Sequence, residues 1–295
     1  MLRDKLASIF RTLNTKLLYV NSWPVEKLLK VNLVISSKVY RKWMKQRHDG
    51  HPVDLLIDRN IKMRVDPSKA MGAAFYWMGL HELNEWRFLN RHLKAEMIFA
   101  DIGANQGEFA LFAAKRLSRG KVLAFEPVNI YQQQLAENIS LNGFKNIDTF
   151  DFGLSDKSMQ MPIYSSEEGI GENEGLASIF QSSHRNRLVQ QIELKIFDDV
   201  IQDLKISRLD FMKIDVEGAE LMVLRGARKT IEKYRPYVML EVSEETYRAA
   251  GYSVSDVRSF FNSLGYSLNV ITKEGGLAKA ETVPSFCNVV FTPDY

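Results

Sequence analysis

Residues 101–107, Asp-Ile-Gly-Ala-Asn-Gln-Gly, join a short apolar run at 97–101 to an amphipathic run at 108–117. The first run has the length and composition of a buried β-strand, and the second has the spacing of an α-helix. Gly103 permits a tight turn after the strand, and Gly107 permits the helix to approach a ligand closely, because glycine has no Cβ atom. A strand, a glycine turn and a helix in this order predict the first unit of an α/β sheet.

The alternation of apolar and amphipathic runs continues from this unit towards the C-terminus. Further strands are predicted at 121–126, 148–152, 209–215, 237–242, 266–271 and 287–292, and helices at 129–141, 219–233 and 255–264. This order predicts a doubly wound, mostly parallel sheet of the Rossmann-like α/β class. The last two strands have no helix between them, which predicts a C-terminal antiparallel hairpin. The polar stretch 155–191 is predicted to be a long loop that covers the acceptor site.

A strongly basic N-terminal segment precedes this pattern. Residues 1–48 contain eleven Lys or Arg and two acidic residues, a net charge of +9, whereas the remainder carries −6 of the chain's total of +3. Leu2, Leu6, Ile9, Leu13 and Leu17 recur at helical spacing, which predicts an amphipathic helix. The pattern fits contact with an acidic membrane surface, or packing against the body or a second subunit, and the packing interpretation is favoured.

The turn cluster at 48–52 predicts a domain boundary. It divides the chain into a basic helical arm at 1–48, a connecting or cap region at 49–94 and a main domain at 95–295. No uncharged apolar run is long enough to span a membrane, and the single cysteine, Cys287, excludes an internal disulfide. The main domain has no second basic stripe, so nucleic acid is not expected as a partner. We expect a cytoplasmic protein; contact of the arm with the inner membrane face and homo-oligomer formation stay open.

The glycine loop and two acidic residues indicate which cofactor the sheet binds. Asn105 stands where a dinucleotide-binding loop carries its second glycine, which weakens a nicotinamide interpretation. Glu126, at the end of the second strand, is placed to accept both hydroxyls of a ribose, and Asp101 suits a cationic group. Adenosine joined to a positively charged amino-acid tail describes S-adenosylmethionine. Phe152 and Leu154, at the end of the third strand, are placed to sandwich its adenine, and the alternative that they are ordinary core residues stays open.

Five motifs resemble the FkbM family of S-adenosylmethionine-dependent methyltransferases: DIGANQG at 101–107, LAFEP at 123–127, LSD at 154–156, MKIDVEGAELMVLRGA at 212–227 and RPYVMLEV at 235–242. The resemblance implies a seven-stranded methyltransferase sheet and methyl transfer to a hydroxyl oxygen of a sugar, a polysaccharide unit or a polyketide-type product. The predicted cofactor contacts in the matching motifs are Asp101, Gly103, Ala104, Asn105, Gly107, Glu126 and Pro127. Gln106 departs from a family position that is often apolar, and the arm at 1–48 lies outside the resemblance.

Methyl transfer to a hydroxyl needs a general base or a metal, because a hydroxyl is a poor nucleophile until its proton is being removed. Asp215 ends the fourth predicted strand, with Lys213 one pleat back on the same face, Glu217 just beyond it and Glu241 at the end of the fifth strand. We predict that Asp215 is the base or orients the acceptor, that Lys213 keeps a carboxylate ionised, and that Glu217 and Glu241 surround the acceptor. The alternative is a structural ion pair between Lys213 and Glu241, with Glu217 capping the next helix.

Three further possibilities are weighed against this prediction. Asp215, Glu217 and Glu241 offer oxygen ligands for a divalent ion, but no histidine accompanies them in the sequence and we expect no metal. An NAD(P)-dependent oxidoreductase is disfavoured by Asn105 and by the terminal hairpin. A non-catalytic scaffold at a membrane is suggested by the basic arm alone.

Overall fold

The computed structural model describes residues 2–20, 22–44, 51–166, 177–182 and 185–294. The helices are α1 (Leu2–Leu17), α2 (Trp23–Met44), α3 (Ala70–Met78), α4 (Leu83–His92), α5 (Glu108–Arg116), α6 (Asn129–Asn142), α7 (Phe197–Leu204), α8 (Glu220–Gly226), α9 (Arg228–Tyr234), α10 (Glu244–Ala249) and α11 (Val254–Asn262). The strands are β1 (Val53–Ile57), β2 (Ile61–Val65), β3 (Ile98–Ile102), β4 (Lys121–Phe125), β5 (Ile147–Phe150), β6 (Gly153–Ser155), β7 (Met159–Ser165), β8 (Arg187–Ile196), β9 (Phe211–Ile214), β10 (Tyr237–Ser243), β11 (Tyr266–Ile271), β12 (Leu277–Lys279) and β13 (Phe286–Pro293).

The central sheet of the described chain has eight strands in the order β12-β11-β13-β10-β9-β3-β4-β5. The five strands from β10 to β5 run parallel, and β13 runs antiparallel to both β10 and β11. Neighbouring residues of β3 enter two separate apolar clusters: Phe99 packs with α4 and α5, and Ala100 packs with α8 and α11. Helices therefore bury both faces, as the apolar runs require. The seven predicted strands are confirmed, and the short strand β12 is added at the edge.

The register of the sheet determines which polar residues meet at its carboxyl edge. β3 and β9 pair Asp101 with Lys213, and β10 and β13 pair Glu241 with Asn288. Because parallel strands end at the same edge, the loop after β3 and the residues that follow β9 lie beside Glu241.

Three predicted elements differ from the structure. The sequence also predicts a helix over 79–93, but Gly79 adopts a left-handed φ of +76° and ends α3 by donating its N–H to the carbonyl of Phe75, and α4 begins afterwards. The helix predicted at 219–233 is divided into α8 and α9 beside Gly226, where an added Cβ would lie 2.0 Å from the carbonyl oxygen of Ser155. The predicted loop at 155–191 contains β7 and part of β8, which form a three-stranded sheet with β6.

The N-terminal helices pack on the body of the protein. The Tyr76 hydroxyl donates to Asp4 at 2.6 Å, and Asn14 of α1 donates to the carbonyl of Met78 and accepts from Asn32 of α2. The packing interpretation is confirmed for α1, although Ile9 of its predicted apolar stripe is 60% exposed. The proposed boundary at residue 48 falls outside the described residues. None of the helices in the described ranges is long and apolar enough to cross a membrane.

Candidate functional site

A large cavity opens at the carboxyl edge of the sheet. It encloses about 1150 Å³, counting the part that is open to solvent, which is enough for a cofactor and part of an acceptor. Ten of the thirteen predicted site residues line it: Gly103, Ala104, Asn105, Glu126, Pro127, Leu154, Lys213, Asp215, Glu217 and Glu241. The three that do not line it are Asp101, Gly107 and Phe152.

Two glycines shape the loop through contacts with the protein itself. Gly103 has a φ of +82°, and a Cβ there would lie 1.9 Å from the carbonyl oxygen of Asp215. Gly107 has a φ of +100°, and a Cβ there would lie 2.7 Å from Cδ1 of Leu135 in α6. Gly107 therefore packs against a side chain of α6 and does not line the cavity, and its predicted contact with a ligand stays a prediction. Asn105 adopts a left-handed φ of +49°, a conformation that asparagine tolerates better than most residues.

Glu126 ties the loop to the end of β4. One carboxylate oxygen accepts the N–H of Asn105 and the other accepts the N–H of Val128, both at 2.8 Å. Burial raises the pKa of Glu126 to about 7, although the two backbone N–H groups oppose this shift. Each oxygen has a second lone pair, so the carboxylate is still able to accept hydroxyl groups from the cavity.

Asp101 is placed differently from its prediction. Its side chain is fully buried, lies outside the cavity lining and has Oδ1 4.0 Å from Nζ of Lys213. Burial raises the pKa of Asp101 to about 7. Asp101 therefore faces the ammonium group of Lys213 and does not line the cavity where it was predicted to meet a cationic ligand.

Lys213 pairs with Asp215, whose Oδ2 lies 2.9 Å from Nζ. Burial alone would lower the pKa of Lys213, but the carboxylates of Asp215 and Asp101 outweigh burial and raise it above its ordinary value. The ammonium therefore stays charged beneath the cavity. The alternative of an ion pair between Lys213 and Glu241 is not what the structure contains.

The acids Asp215, Glu217 and Glu241 converge as predicted. Each offers a carboxylate oxygen, and these oxygens lie within 4.8 Å of one another. Asp215 is balanced by Lys213, and Arg185 donates to Glu217 at 2.7 Å. Oxygen ligands at this spacing are compatible with a divalent cation as well as with an acceptor hydroxyl.

Burial and mutual repulsion raise the pKa values of two of these acids, Glu217 and Glu241. Burial, and then the charge of Asp215, raise the pKa of Glu217 to about 8. Burial, followed by Asp215 and Glu217, raises the pKa of Glu241 to about 10. At neutral pH Glu217 and Glu241 therefore retain their protons until a cation or an ionising acceptor enters.

The turn after β9 holds Glu217 towards the cavity. Glu217 has a φ of +54° and Gly218 a φ of +107°. The N–H groups of Val216 and Gly218 donate to the carboxylate of Glu220, and the hydroxyl of Ser178 donates to the carbonyl of Glu217. The alternative role of Glu217 as a helix cap is not what the structure contains, because α8 begins after Ala219 without a side-chain cap and Glu217 pairs with Arg185. A strained backbone held this firmly is typical of functional sites.

Phe152 does not reach the cavity. Its ring packs against Phe125 and Phe150, and Nζ of Lys195 lies 4.1 Å from the ring centroid. β5 ends at Phe150, earlier than predicted, so Phe152 turns into the core while Leu154 of β6 lines the cavity. The apolar wall at this end comes instead from Tyr131, Ile163, Ile179, Ile192 and Leu194.

Sequence reasoning missed a second group of acids beside the first. Glu108, which lines the cavity, accepts from Nε1 of Trp86 at 2.7 Å and lies 3.6 Å from Nδ1 of His81. Asn288 donates to both Glu82 and Glu85 at 3.2 Å. An acid at the first turn of a helix ordinarily indicates helix capping, so the sequence holds no separate signal for Glu108.

Replacing Glu241 by Gln should raise the melting temperature by an amount that grows between about pH 5 and pH 10. The folded protein binds the Glu241 proton more tightly than the unfolded chain, where the pKa is near 4.5. Wild-type stability is therefore lost progressively as the pH rises from 4.5 towards 10, and glutamine abolishes this loss. Thermal unfolding across the pH range measures it. Glu245→Gln at an exposed position is the control, and a Glu241→Gln difference that stays constant with pH would contradict the burial of this charge.

Comparison with known proteins agrees with this geometry. Residues 101–268 match the Methyltransferase FkbM domain, more than half of the chain. The chain is 26% identical over 185 residues to methyltransferase sdnD of Sordaria araneosa, covering 54% of this chain and 70% of that protein. It is 26% identical over 209 residues to the AMB antimetabolite synthetase AmbE of Pseudomonas aeruginosa, covering 60% of this chain and 10% of the synthetase.

Among solved structures, the methyltransferase FkbM of Methylobacillus flagellatus is similar, with a TM-score of 0.48 and 15% identity over 89% of this chain and 60% of that one. The domain match includes the glycine loop, Glu126, Lys213 and all three converging acids. The chain therefore belongs to the FkbM family of S-adenosylmethionine-dependent methyltransferases.

Proposed function

We propose that this protein transfers a methyl group from S-adenosylmethionine to a hydroxyl oxygen of a saccharide or a related polyhydroxylated compound. One observation carries the proposal: a single cavity has the glycine loop and Glu126 on one side and the acids Asp215, Glu217 and Glu241 on another. Carboxylates accept hydrogen bonds from hydroxyl groups, and the family resemblance favours an oxygen acceptor. The single cysteine supports a cytoplasmic location.

The lining of the cavity fits S-adenosylmethionine. The backbone of residues 103–106 and the carboxylate of Glu126 would hold its polar part, and Tyr131, Leu154, Ile163 and Leu194 offer an apolar wall for its adenine. The acids around Asp215 complement its positive charge. When bound, it supplies a methyl group already activated on a sulfonium.

The chain's own residues must orient the acceptor and accept its proton. Asp215 is the best placed, because its carboxylate is paired with the ammonium group of Lys213 and its side chain is partly exposed to the cavity. Glu217, held by Arg185, and Glu241 would position neighbouring hydroxyl groups. Burial of the cavity walls excludes water, which would otherwise compete for the reactive carbon.

The proposal is tested by methyl transfer to a panel of acceptors. Wild-type protein is incubated with methyl-deuterated S-adenosylmethionine and with saccharides, other polyols, phenols or amines, and products are identified by mass spectrometry. A labelled methyl ether is expected with a polyol. A labelled amine in place of an ether would overturn the oxygen acceptor, and calorimetric binding of NAD in preference to S-adenosylhomocysteine would overturn the whole proposal.

Glu126→Gln should weaken the binding of S-adenosylhomocysteine at least tenfold. A charge-assisted hydrogen bond contributes roughly 1.5–3 kcal/mol, and about 1.4 kcal/mol corresponds to a factor of ten. Isothermal titration measures the dissociation constant. An affinity within twofold of wild type would show that the ribose is bound elsewhere.

A second titration separates ribose recognition from support of the loop by Glu126. An analogue that lacks the ribose hydroxyls should bind wild-type protein more weakly than S-adenosylhomocysteine, but the two compounds should bind Glu126→Gln alike. If the variant still discriminates between them, Glu126 acts only by holding Asn105 and Val128.

A further inference from the structure

Helix α2 presents an outward face that combines aliphatic and basic side chains. Its inward residues Leu29, Asn32 and Ser36 are buried against the body. On the opposite side lie residues that share high exposure, Leu28, Val31, Val34 and Ile35 with Lys27, Lys30 and Lys38. The four aliphatic side chains are 45–53% exposed, so about half of each one is open to solvent. We call these seven residues the lysine–aliphatic face.

The charge of this face has one sign. Glu26, the single acidic residue in the sequence of α2, turns away and pairs with Arg87 of α4 at 2.5 Å. The sequence continues with Arg41, Lys42 and Lys45, and residues 1–48 carry a net charge of +9. The face therefore complements an anionic surface.

We propose that the lysine–aliphatic face docks α2 in the plane of an anionic lipid surface. A helix with aliphatic side chains among lysines buries the aliphatic groups at the boundary of the acyl chains, while the lysine stems extend to the headgroups. Both components are needed, because four aliphatic side chains alone bind a bilayer weakly and each lysine adds attraction to anionic lipid.

A second copy of the chain fits this face less well. A symmetric dimer would place the same patch of both subunits together, which brings the lysines of both copies into one interface, where like charges repel. Phospholipid headgroups instead present negative charge to these lysines.

The docking helix is fixed to the rest of the protein. Arg87 donates to Glu26 of α2, to the carbonyl of Leu18 and to the carbonyl of Lys273, and so joins α2 to the body. Binding of α2 to a bilayer would therefore hold the whole enzyme at the membrane surface.

Vesicle flotation of the full chain tests the proposal. The protein should float with vesicles that contain phosphatidylglycerol and stay unbound with pure phosphatidylcholine, and high salt should weaken binding. The double variants Val31→Gln/Ile35→Gln and Lys30→Glu/Lys38→Glu should each lower the partition coefficient at least tenfold. Leu56→Gln, at a 52% exposed position of β1, is the matched control and should bind as wild type does.

Three outcomes would overturn the proposal. The first is absence of binding to phosphatidylglycerol vesicles, and the second is binding unaffected by either double variant. The third is a wild-type protein that does not bind vesicles and is a dimer in light scattering, while Val31→Gln/Ile35→Gln is a monomer. That result would show that the face binds a second copy of the chain. S-adenosylhomocysteine titration of each variant confirms that the altered residues, all exposed, leave the fold intact.

Discussion

Asp215→Asn should lower the rate of methyl transfer by about 10²–10⁴, the usual contribution of a general base. The substitution preserves size and shape but removes the ability to accept a proton from the acceptor. Asp215 lines the cavity just after β9, and its Oδ2 lies 2.9 Å from Nζ of Lys213. The affinity for S-adenosylhomocysteine should change much less, because Glu126 and the loop lie at the other side of the cavity.

Single-turnover experiments measure the rate of methyl transfer, and isothermal titration of the same preparations measures the affinity for S-adenosylhomocysteine. Asp203→Asn, at an exposed acid of α7, is the matched control and should behave as wild type. If Asp215→Asn keeps full activity but loses affinity for S-adenosylhomocysteine, Asp215 binds the cofactor and is not the base. A rate restored by added Mg²⁺ or Mn²⁺ would show that the three acids bind a metal instead.

Comparison with Glu217→Gln and Glu241→Gln tests which of the converging acids is the base. Glu217 and Glu241 have raised pKa values, about 8 and about 10, so they hold protons at neutral pH. We therefore expect smaller losses of rate at pH 7 from these two substitutions than from Asp215→Asn. A larger loss from Glu241→Gln would make Glu241 the base.

The convergence of these acids was predictable because it follows from local patterns and one rule of topology. Each acid comes at or just after the end of an apolar run, and parallel strands end at a common edge. The glycine loop and Glu126 could be predicted for the same reason, because each follows directly after an apolar run that forms a strand.

Partners that come from distant parts of the chain were not predictable. Arg185 reaches Glu217 from the polar stretch, and Trp86 donates to Glu108 from the region before the sheet. No local spacing encodes either contact, since each depends on how separate elements pack.

The error at Phe152 has a different origin. The prediction placed Phe152 and Leu154 at the end of one strand, where residues two apart face the same side. β5 ends at Phe150 and β6 begins at Gly153, which leaves Phe152 in the core and Leu154 at the cavity. Boundaries of elements are the least certain feature of a sequence pattern, and a site residue predicted from one inherits that uncertainty.

Gly103→Ala should lower the melting temperature by about 10 °C or more and abolish S-adenosylhomocysteine binding. The new Cβ would lie 1.9 Å from the carbonyl oxygen of Asp215, so the loop must separate from the end of β9. A cost of about 4 kcal/mol or more is typical of such an overlap, and each kcal/mol lowers the melting temperature of a protein of this size by roughly 2–4 °C. Separation would also move Asn105 away from Glu126, whose contact holds the cofactor side.

Gly251→Ala is the matched control, because it isolates the steric overlap from the cost of a left-handed backbone. Gly251 has a φ of +81°, against +82° at Gly103, and nothing lies within 4 Å of the position of its Cβ. Gly251→Ala should lower the free energy of unfolding by about 1–2 kcal/mol, which lowers the melting temperature by a few degrees, and it should keep its cofactor affinity. Equal losses of melting temperature in the two variants would mean that only the backbone conformation of Gly103 matters. The larger loss at Gly103 would show that close packing of the loop on Asp215 joins the cofactor side of the cavity to the proposed base.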